Sequence, residues 1–410
     1  MSSIIFYGAG GNAENNFEKW IDQGIFPVCF CDSDESKHHV KFITKKGEYD
    51  ILPLKKAIER YPDYIIYPTQ HQSKIKNIIS YLINNGIAES KIKIFSRHCN
   101  YLNKYMYFQS IILNNSEYNF CCFNKNTYKS SGDIETDFNT LQKKAVQMID
   151  DLDNGKICSC SYCNNLKEGK MPDFPPRFEF NLSTGINGGT NCNLKCSYCF
   201  FSKILNNSNT FGYNILDILY FIQNKFNKKN IFLDYNCGEI TVSPHYNKIM
   251  DIWKKNNWKG RISTNAVIYS EGIAELMRLG LIKINVSLDA GTAETYSKIK
   301  GKNYFNKTLE TLKYYSDILG NIELKYLFVK DSNDNENDII NFLKIAKKLN
   351  VCVVIISRNS TESLIPLSEH EKYLLKYFIY TAKNYGLKVI NYFNLYIKNI
   401  KDIDYINSLI

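Results

Sequence analysis

The chain has 410 residues, enough for two or three domains, and 44% of them are hydrophobic, so sizeable cores can form. No run approaches the 18 or so uninterrupted apolar residues of a membrane span. The net charge of +10 rests on lysine, since only six of the 51 basic residues are arginine. Nucleic-acid surfaces favour the stacking, bidentate guanidinium, so the charge reads as solvated lysine faces with no nucleic-acid partner.

The N-terminus, Met1-Ser2-Ser3-Ile4, lacks a basic n-region and a cleavage-site pattern. Thirteen cysteines in such an untargeted chain point to metal binding in a reducing, cytoplasmic compartment. A strand at 4–7 runs into Gly8-Ala9-Gly10-Gly11-Asn12-Ala13 and a helix over 14–23. A second strand at 27–31 ends at Asp32-Ser33-Asp34. This is G-x-G-x-x-A on a strand–turn–helix, with an acid about twenty residues on. Gly8 and Gly10 would let the backbone approach a phosphate at the helix N-terminus, and Asp32 or Asp34 would accept from ribose hydroxyls. Helices at 54–61 and 72–85 alternate with strands at 64–67 and 92–95, which predicts a small doubly wound parallel sheet over residues 1–98. These residues resemble the nucleotide-sugar-binding N-terminal domains of certain bacterial sugar acetyltransferases and related glycan enzymes. A docking module that binds no nucleotide is the other reading.

Residues 99–175 carry Cys121-Cys122 on an extended run, a helix near 137–152, and Cys158-Ser159-Cys160-Ser161-Tyr162-Cys163. Five cysteines this close together are a metal signal, for an iron–sulfur cluster or for a structural zinc. Adjacent cysteines rarely share one small cluster, so one of Cys121 and Cys122 is spare, and Cys122 is taken as the ligand.

From residue 178 strands are predicted at 178–186, 231–235, 260–264, 282–288, 323–329, 351–357 and 387–390. The helices between them fall near 214–226, 245–257, 270–279, 304–318, 334–349 and 368–385. Six or seven such units over 176–410 fit a partial (β/α)6 TIM-type barrel, whose chemistry belongs on loops at the C-terminal ends of the strands. After the first strand stand Cys192, Cys196 and Cys199, spaced C-x3-C-x2-C. Three such thiolates can ligate three irons of a 4Fe–4S cluster and leave the fourth open, whereas electron-transfer clusters usually take four.

This spacing, with the aromatic Phe200 after it, resembles the signature of the radical S-adenosylmethionine (SAM) enzymes. Later strand ends carry further segments similar to that family's. They are Asn236-Cys237-Gly238-Glu239 where the family has Gly-Gly-Glu, Ser263-Thr264-Asn265-Ala266, and Ser287-Leu288-Asp289-Ala290. The resemblance covers roughly residues 100 to 390. It implies that the open iron chelates SAM, that Gly238 and Glu239 hold its amino group, and that Ser263 and Asn265 face it. It also implies that Ser287 touches its ribose or carboxylate, beside Asp289. Cys237 departs from the glycine pattern and is a candidate hydrogen-atom donor, as Cys352 is, although Cys352 reads as a small core residue. The cysteine-rich linker is similar to that of the twitch-type subgroup. That likeness implies an auxiliary 4Fe–4S cluster on Cys160, Cys163 and one of the Cys121-Cys122 pair, with Cys158 as the fourth ligand.

The implied function is reductive cleavage of SAM to a 5′-deoxyadenosyl radical that abstracts hydrogen from a substrate. An external flavodoxin- or ferredoxin-type donor would supply the electron. The substrate reading from the N-terminal segment is a nucleotide-linked sugar or surface-glycan precursor. A peptide-modifying maturase and a non-enzymatic iron–sulfur or docking protein are the alternatives. Lys325, Tyr326 and Arg358 are placed where they could meet an anionic substrate at the barrel mouth.

Overall fold

The structure, a computed structural model, describes residues 2–99, 107–109, 117–118, 128–163, 166–170, 178–183, 192–199, 214–226, 231–318, 322–351, 353–359, 362, 365–392 and 400–409. The chain divides into two compact units. The first comprises Met1–Met106, Phe120–Asn126 and Thr140–Pro175, and the second Tyr107–Asn119, Thr127–Asn139 and Pro176–Ile410. The segment 99–175 is therefore divided between the two.

The first unit holds strands β1 (Ser3–Tyr7), β2 (Cys29–Cys31), β3 (Lys41–Thr44), β4 (Gly47–Leu52) and β5 (Tyr64–Pro68), with helices α1 (Gly11–Asp22), α2 (Leu54–Arg60) and α3 (Gln72–Asn84). The sheet order is β3-β4-β2-β1-β5. All pairings are parallel except the β3–β4 hairpin, an edge addition that the sequence reading did not include. The core is aromatic: Trp20 of α1 stacks on Phe95 with ring centroids 4.0 Å apart, and Phe6 of β1 meets Phe30 edge-on at 5.4 Å. The predicted strand at 92–95 does not form. Ile92 makes one bridge to Ile66, and then the backbone divides its bonds, Lys93 N–H to Ile66 and Ile94 N–H to Gly155. Ile92, Ile94 and Phe95 are buried all the same, so burial created a strand-like apolar run without a ladder. A two-residue pair, β6 (Arg97–His98) with β10 (Lys167–Glu168), lies in the same unit.

The second unit is built on one parallel sheet. Its strands are β7 (Tyr107–Gln109), β11 (Phe178–Ser183), β12 (Ile231–Cys237), β13 (Lys259–Thr264), β14 (Ile282–Ser287), β15 (Ile322–Phe328), β16 (Val353–Arg358) and β17 (Lys388–Asn391). They are ordered β17-β16-β15-β14-β13-β12-β11-β7, and β8 (Glu117–Tyr118) pairs with β9 (Tyr128–Lys129) separately. The long helix α4 (Ile134–Asp153) precedes β10. After β11 come α5 (Ile215–Lys225), α6 (Tyr246–Asn256), α7 (Glu271–Arg278), α8 (Ala293–Lys300), α9 (Phe305–Ser316), α10 (Glu336–Lys348), α11 (Glu369–Asn384) and α12 (Ile400–Leu409).

Strand side chains alternate between faces, and here the faces differ in chemistry. Leu233, Tyr235, Ile262, Ile284, Val286, Leu324, Tyr326, Val354 and Ile356 fill the buried side. Asp234, Arg261, Ser263, Asn285, Ser287, Lys325 and Ser357 stand at the alternate positions, and register pairs Asp234 with Arg261, Ser263 with Asn285, and Ser287 with Lys325. The sheet is also strongly curled. β13 and β17 are four strand spacings apart, about 19 Å if flat at ~4.8 Å each. Yet Arg261 Nη1 donates to Tyr392, just past β17, at 3.1 Å. The curl makes the polar face the concave one, as in a partial barrel.

Candidate active site

Cys192, Cys196 and Cys199 lie in the loop after β11, at the C-terminal end of the sheet. None of the three is in a disulfide. Burial raises the Cys192 and Cys196 pKa values, and each thiol feels the charge of Cys199, so the three share one small region. The loop is docked on the end of α8. Lys195 N–H donates to the Lys300 carbonyl at 3.0 Å and Ser197 N–H to that of Ile299 at 2.9 Å. A helix leaves its last carbonyls unbonded, and here the cysteine loop supplies the missing donors. Gly301 makes that approach possible: it is left-handed (φ 70°), and a Cβ there would stand 2.7 Å from the Lys195 carbonyl oxygen. Helix α8 was not among the predicted helices. Eight residues form a marginal helix alone, and its support is tertiary, through the buried Tyr296, Ile299 and Lys300.

The second strand end meets the same loop. Ser183 pairs with Cys237 across a register shift, so Cys237 continues the β12 ladder, and the left-handed backbone falls on Gly238 (φ 76°). The glycine replaced by Cys237 is therefore not needed for this turn. The Cys237 side chain lies outside the described residues, as do Cys121, Cys122 and Cys352. Glu239 is buried, and its carboxylate collects Thr241 N–H at 3.2 Å, Thr241 Oγ1 at 2.8 Å, Thr264 Oγ1 at 2.9 Å and Asn265 N–H at 2.7 Å. Burial raises its pKa against these donors. Asn265 completes the link, since Nδ2 donates to Asn193 Oδ1 at 2.6 Å and lies 3.8 Å from Cys192 Sγ. Glu239 and Asn265 thus tie β12 and β13 to the cysteine loop. Ser263 and Ser287 stand on the concave face just below.

Asp289 has a different place from a ligand-facing one. It is wholly buried and bonded to Lys300, Tyr198 and the Leu327 N–H. Tyr326 also faces away from the mouth, its hydroxyl within hydrogen-bonding distance of the Asn333 carbonyl oxygen and Asp338 Oδ2, at 2.6 and 2.9 Å. Arg358 is buried and holds Glu371 at 2.9 Å and the Ile365 carbonyl at 2.6 Å. These two are structural because their strand positions fall on the helix-covered face. Lys325 alone of that group lies on the concave face, and burial lowers its pKa. Sequence reading missed Tyr198, Thr264, Lys300 and Gly301. Tyr198 sat inside the motif as an unassigned position, and nothing in the sequence pairs Lys300 with a loop a hundred residues earlier.

Residues 186–344 match the Radical SAM superfamily. This chain carries a radical SAM domain. An uncharacterized protein of Methanocaldococcus jannaschii is 28% identical over 170 residues, 39% of this chain and 50% of that protein. The cysteine-type anaerobic sulfatase-maturating enzyme of Clostridium novyi is 29% identical over 36% of this chain and 42% of that enzyme. The chain thus matches half or less of either relative's length. Among solved structures, SuiB of Streptococcus suis bound to S-adenosylmethionine aligns with a TM-score of 0.41 at 13% identity, covering 65% of this chain and 57% of that one. The donor set of the radical SAM domain fits a cluster: three thiols outside any disulfide on one loop, with Cys192 3.8 Å from Asn265 Nδ2 and near enough to the buried Glu239 to feel its charge. Among the described residues no three His, Cys, Asp or Glu groups converge closely enough for a single ion, whereas a cluster spreads its irons and takes one thiolate at each.

The linker thiols are arranged around a single turn. Cys158 precedes a 3-10 turn, Ser159–Tyr162, and Cys163 follows it. Cys158 N–H donates to Ser161 Oγ at 2.9 Å, and Cys160 Sγ lies 3.5 Å from Met148 Sδ. A hydrogen bond from Cys160 pulls the Cys158 pKa down to about 6, against burial.

The glycine turn of the first unit is used differently from the expectation. Gly8 (φ 109°) makes its close approach to protein: a Cβ there would meet Gln70 Nε2 at 2.1 Å and Thr69 Oγ1 at 2.6 Å. Asp32 accepts from Ala9 N–H at 2.8 Å, Asp34 N–H at 3.0 Å and Lys37 Nζ at 3.0 Å. Asp34 caps its own turn through Ser36. Gly10 stays open, with only Lys37 Nζ near a Cβ built on it, at 3.9 Å.

Proposed function

We propose that this protein is a radical SAM enzyme in which Cys192, Cys196 and Cys199 hold a 4Fe–4S cluster against SAM. The observation that carries this is the convergence of the cysteine loop with Glu239 and Asn265 at adjacent strand ends. When bound, the cluster supplies the electron that cleaves SAM to a 5′-deoxyadenosyl radical. The protein positions the reactants and excludes water. Asn265 orients the loop at Cys192, and Gly238 shapes the turn beneath it. Ser263, Ser287 and Lys325 offer hydrogen bonds and a cation on the concave face, which suits a polar or anionic group on the substrate. Cys237, beside this pocket, is proposed as a hydrogen-atom donor. Cys158, Cys160, Cys163 and Cys122 are proposed as ligands of an auxiliary 4Fe–4S cluster. A flavodoxin- or ferredoxin-type protein would deliver the electron.

Two substrate classes remain in play. A nucleotide-linked sugar or glycan precursor is supported by the open turn at Gly10, where the α1 N-terminus and Lys37 would meet a phosphate. A peptide is supported by the resemblance to the sulfatase-maturating enzyme. The test of the central proposal is anaerobic reconstitution with SAM and dithionite. The Cys192→Ala, Cys196→Ala, Cys199→Ala triple variant is expected to form no 5′-deoxyadenosine, and undiminished SAM cleavage would overturn the assignment.

A further inference from the structure

We infer that Tyr198, Asp289 and Lys300 form a positioning device that fixes the cysteine loop in its ligating shape before any iron arrives. The inference rests on the reading of Cys192, Cys196 and Cys199 as cluster ligands. Tyr198 lies between Cys196 and Cys199 in sequence. Its hydroxyl donates to Asp289 Oδ2 at 2.5 Å and accepts from Lys300 Nζ at 2.7 Å. Lys300 Nζ donates to the same carboxylate oxygen at 2.5 Å and stands 5.1 Å from the centre of the Tyr198 ring. Both charged side chains are essentially inaccessible, at 1% and 0%.

The other groups of Asp289 anchor this cluster to the sheet. Oδ1 takes the Leu327 N–H at 2.7 Å, the backbone N–H donates to the Lys325 carbonyl at 3.0 Å, and the Asp289 carbonyl accepts from Asn333 Nδ2 at 2.8 Å. Asp289 itself is left-handed at φ 55°, a conformation that persists only where surroundings over-determine it. One carboxylate therefore joins the cysteine loop, the end of α8 and the end of β15. A buried ion pair is weak evidence for stability, because well-packed apolar groups of the same volume often do as well. Its value here is orientation. A loop that gathers three thiolates must otherwise be ordered when metal binds, and prior ordering removes that cost from the binding step.

The experiment compares the full-length wild type with Tyr198→Phe and Lys300→Met. Tyr198→Phe keeps the ring and deletes the one oxygen that links loop to pair. Two quantities are read: iron loss from reconstituted protein to a ferrous chelator, and the N-ethylmaleimide reaction rates of the loop thiols in metal-free protein. Cys160 and Cys163 in the same molecules serve as internal references. Outer-shell changes of this kind typically cost about 10–100-fold in metal affinity, so iron loss is expected to quicken by about that factor. The loop thiols are expected to change rate relative to the references, which a general loss of stability would not produce. Wild-type iron retention and wild-type loop reactivity in Tyr198→Phe would overturn the proposal. Lys300→Met risks misfolding, and then Tyr198→Phe decides alone. If wild type itself takes up no iron, the cluster reading fails, while the thiol rates still decide whether the three residues fix the loop.

Discussion

Cys158 and Glu239 show opposite settings of a single charge. The Cys158 thiol is pulled down to about 6 by its hydrogen bond from Cys160, with Ser161 assisting. A folded value below the unfolded one, about 8.5 for a free thiol, contributes stability present above the unfolded value and lost as pH falls through 6. In metal-free protein, alkylation of Cys158 by iodoacetamide is expected to rise with a midpoint near pH 6. A midpoint near the ordinary thiol value, read by mass spectrometry, would refute this. Cys31, pushed far up by its bond to Cys29 and by burial, is expected to stay unreactive. Glu239 runs the other way. Burial raises its pKa, so the folded state binds the proton more tightly than the unfolded state. Its contribution to stability is full below the ordinary glutamate value and lost as pH rises through the raised one. Glu239→Gln removes this dependence. Its melting temperature relative to wild type is therefore expected to increase from pH 5 to pH 8, while SAM binding weakens because Asn265 loses its carboxylate. A difference that stays flat with pH would count against a raised pKa.

At the scale of elements, the cysteine loop and α8 pack as one piece although Tyr198 and Lys300 are 102 positions apart in the chain; their contact runs through Lys195, Ser197, Ile299, Lys300 and Gly301. Gly301 and Gly280 make a controlled comparison. Both are left-handed (φ 70° and 63°), but a Cβ at Gly280 meets nothing within 4 Å. Gly280→Ala is expected to cost about 1–2 kcal/mol for the left-handed backbone alone. Gly301→Ala carries the same cost and a further ~1–3 kcal/mol of overpacking against Lys195. Urea unfolding should resolve the difference, and only Gly301→Ala should lower the iron bound on reconstitution. Equal effects from the two would mean that the loop yields freely to the added methyl group.

For the whole molecule, the two units allow their chemistries to be separated. Gly8 cannot take a side chain without displacing Gln70 and Thr69, whereas Gly10 faces open space apart from Lys37. Gly10→Val in the full chain is therefore expected to leave folding and both cysteine sites intact while blocking a phosphate at α1. Calorimetry with nucleotides and nucleotide sugars checks this. If wild type binds none of them, the glycine turn serves only to pack β1 against the Thr69-Gln70 segment, and the nucleotide reading of the first unit falls. No helix among the described residues is long and apolar enough to cross a membrane.

The sequence by itself determined the alternation of strands and helices, because side-chain periodicity is a local property, and every predicted strand from 178 onward forms within a few residues of its expected place. It also determined the cysteine loop and its position after β11, since spacing on one loop needs no distant partner. The tertiary structure decided what sequence separation conceals. Ile92 to Phe95 had the composition of a strand, but its backbone donors found Ile66 and Gly155 instead of a ladder. Asp32 and Asp289 sat at motif positions, yet their carboxylates were taken by Lys37 and Lys300. Strand alternation puts Lys325 and Tyr326 on opposite faces, but only the register of β15 with β16 put Arg358 on the Tyr326 side, and only the curl of the sheet made the Lys325 side the concave one. Short helix α8 is the sharpest case, because its eight residues hold their shape through buried side chains and the cysteine loop that caps them, contacts that exist only once the chain has folded.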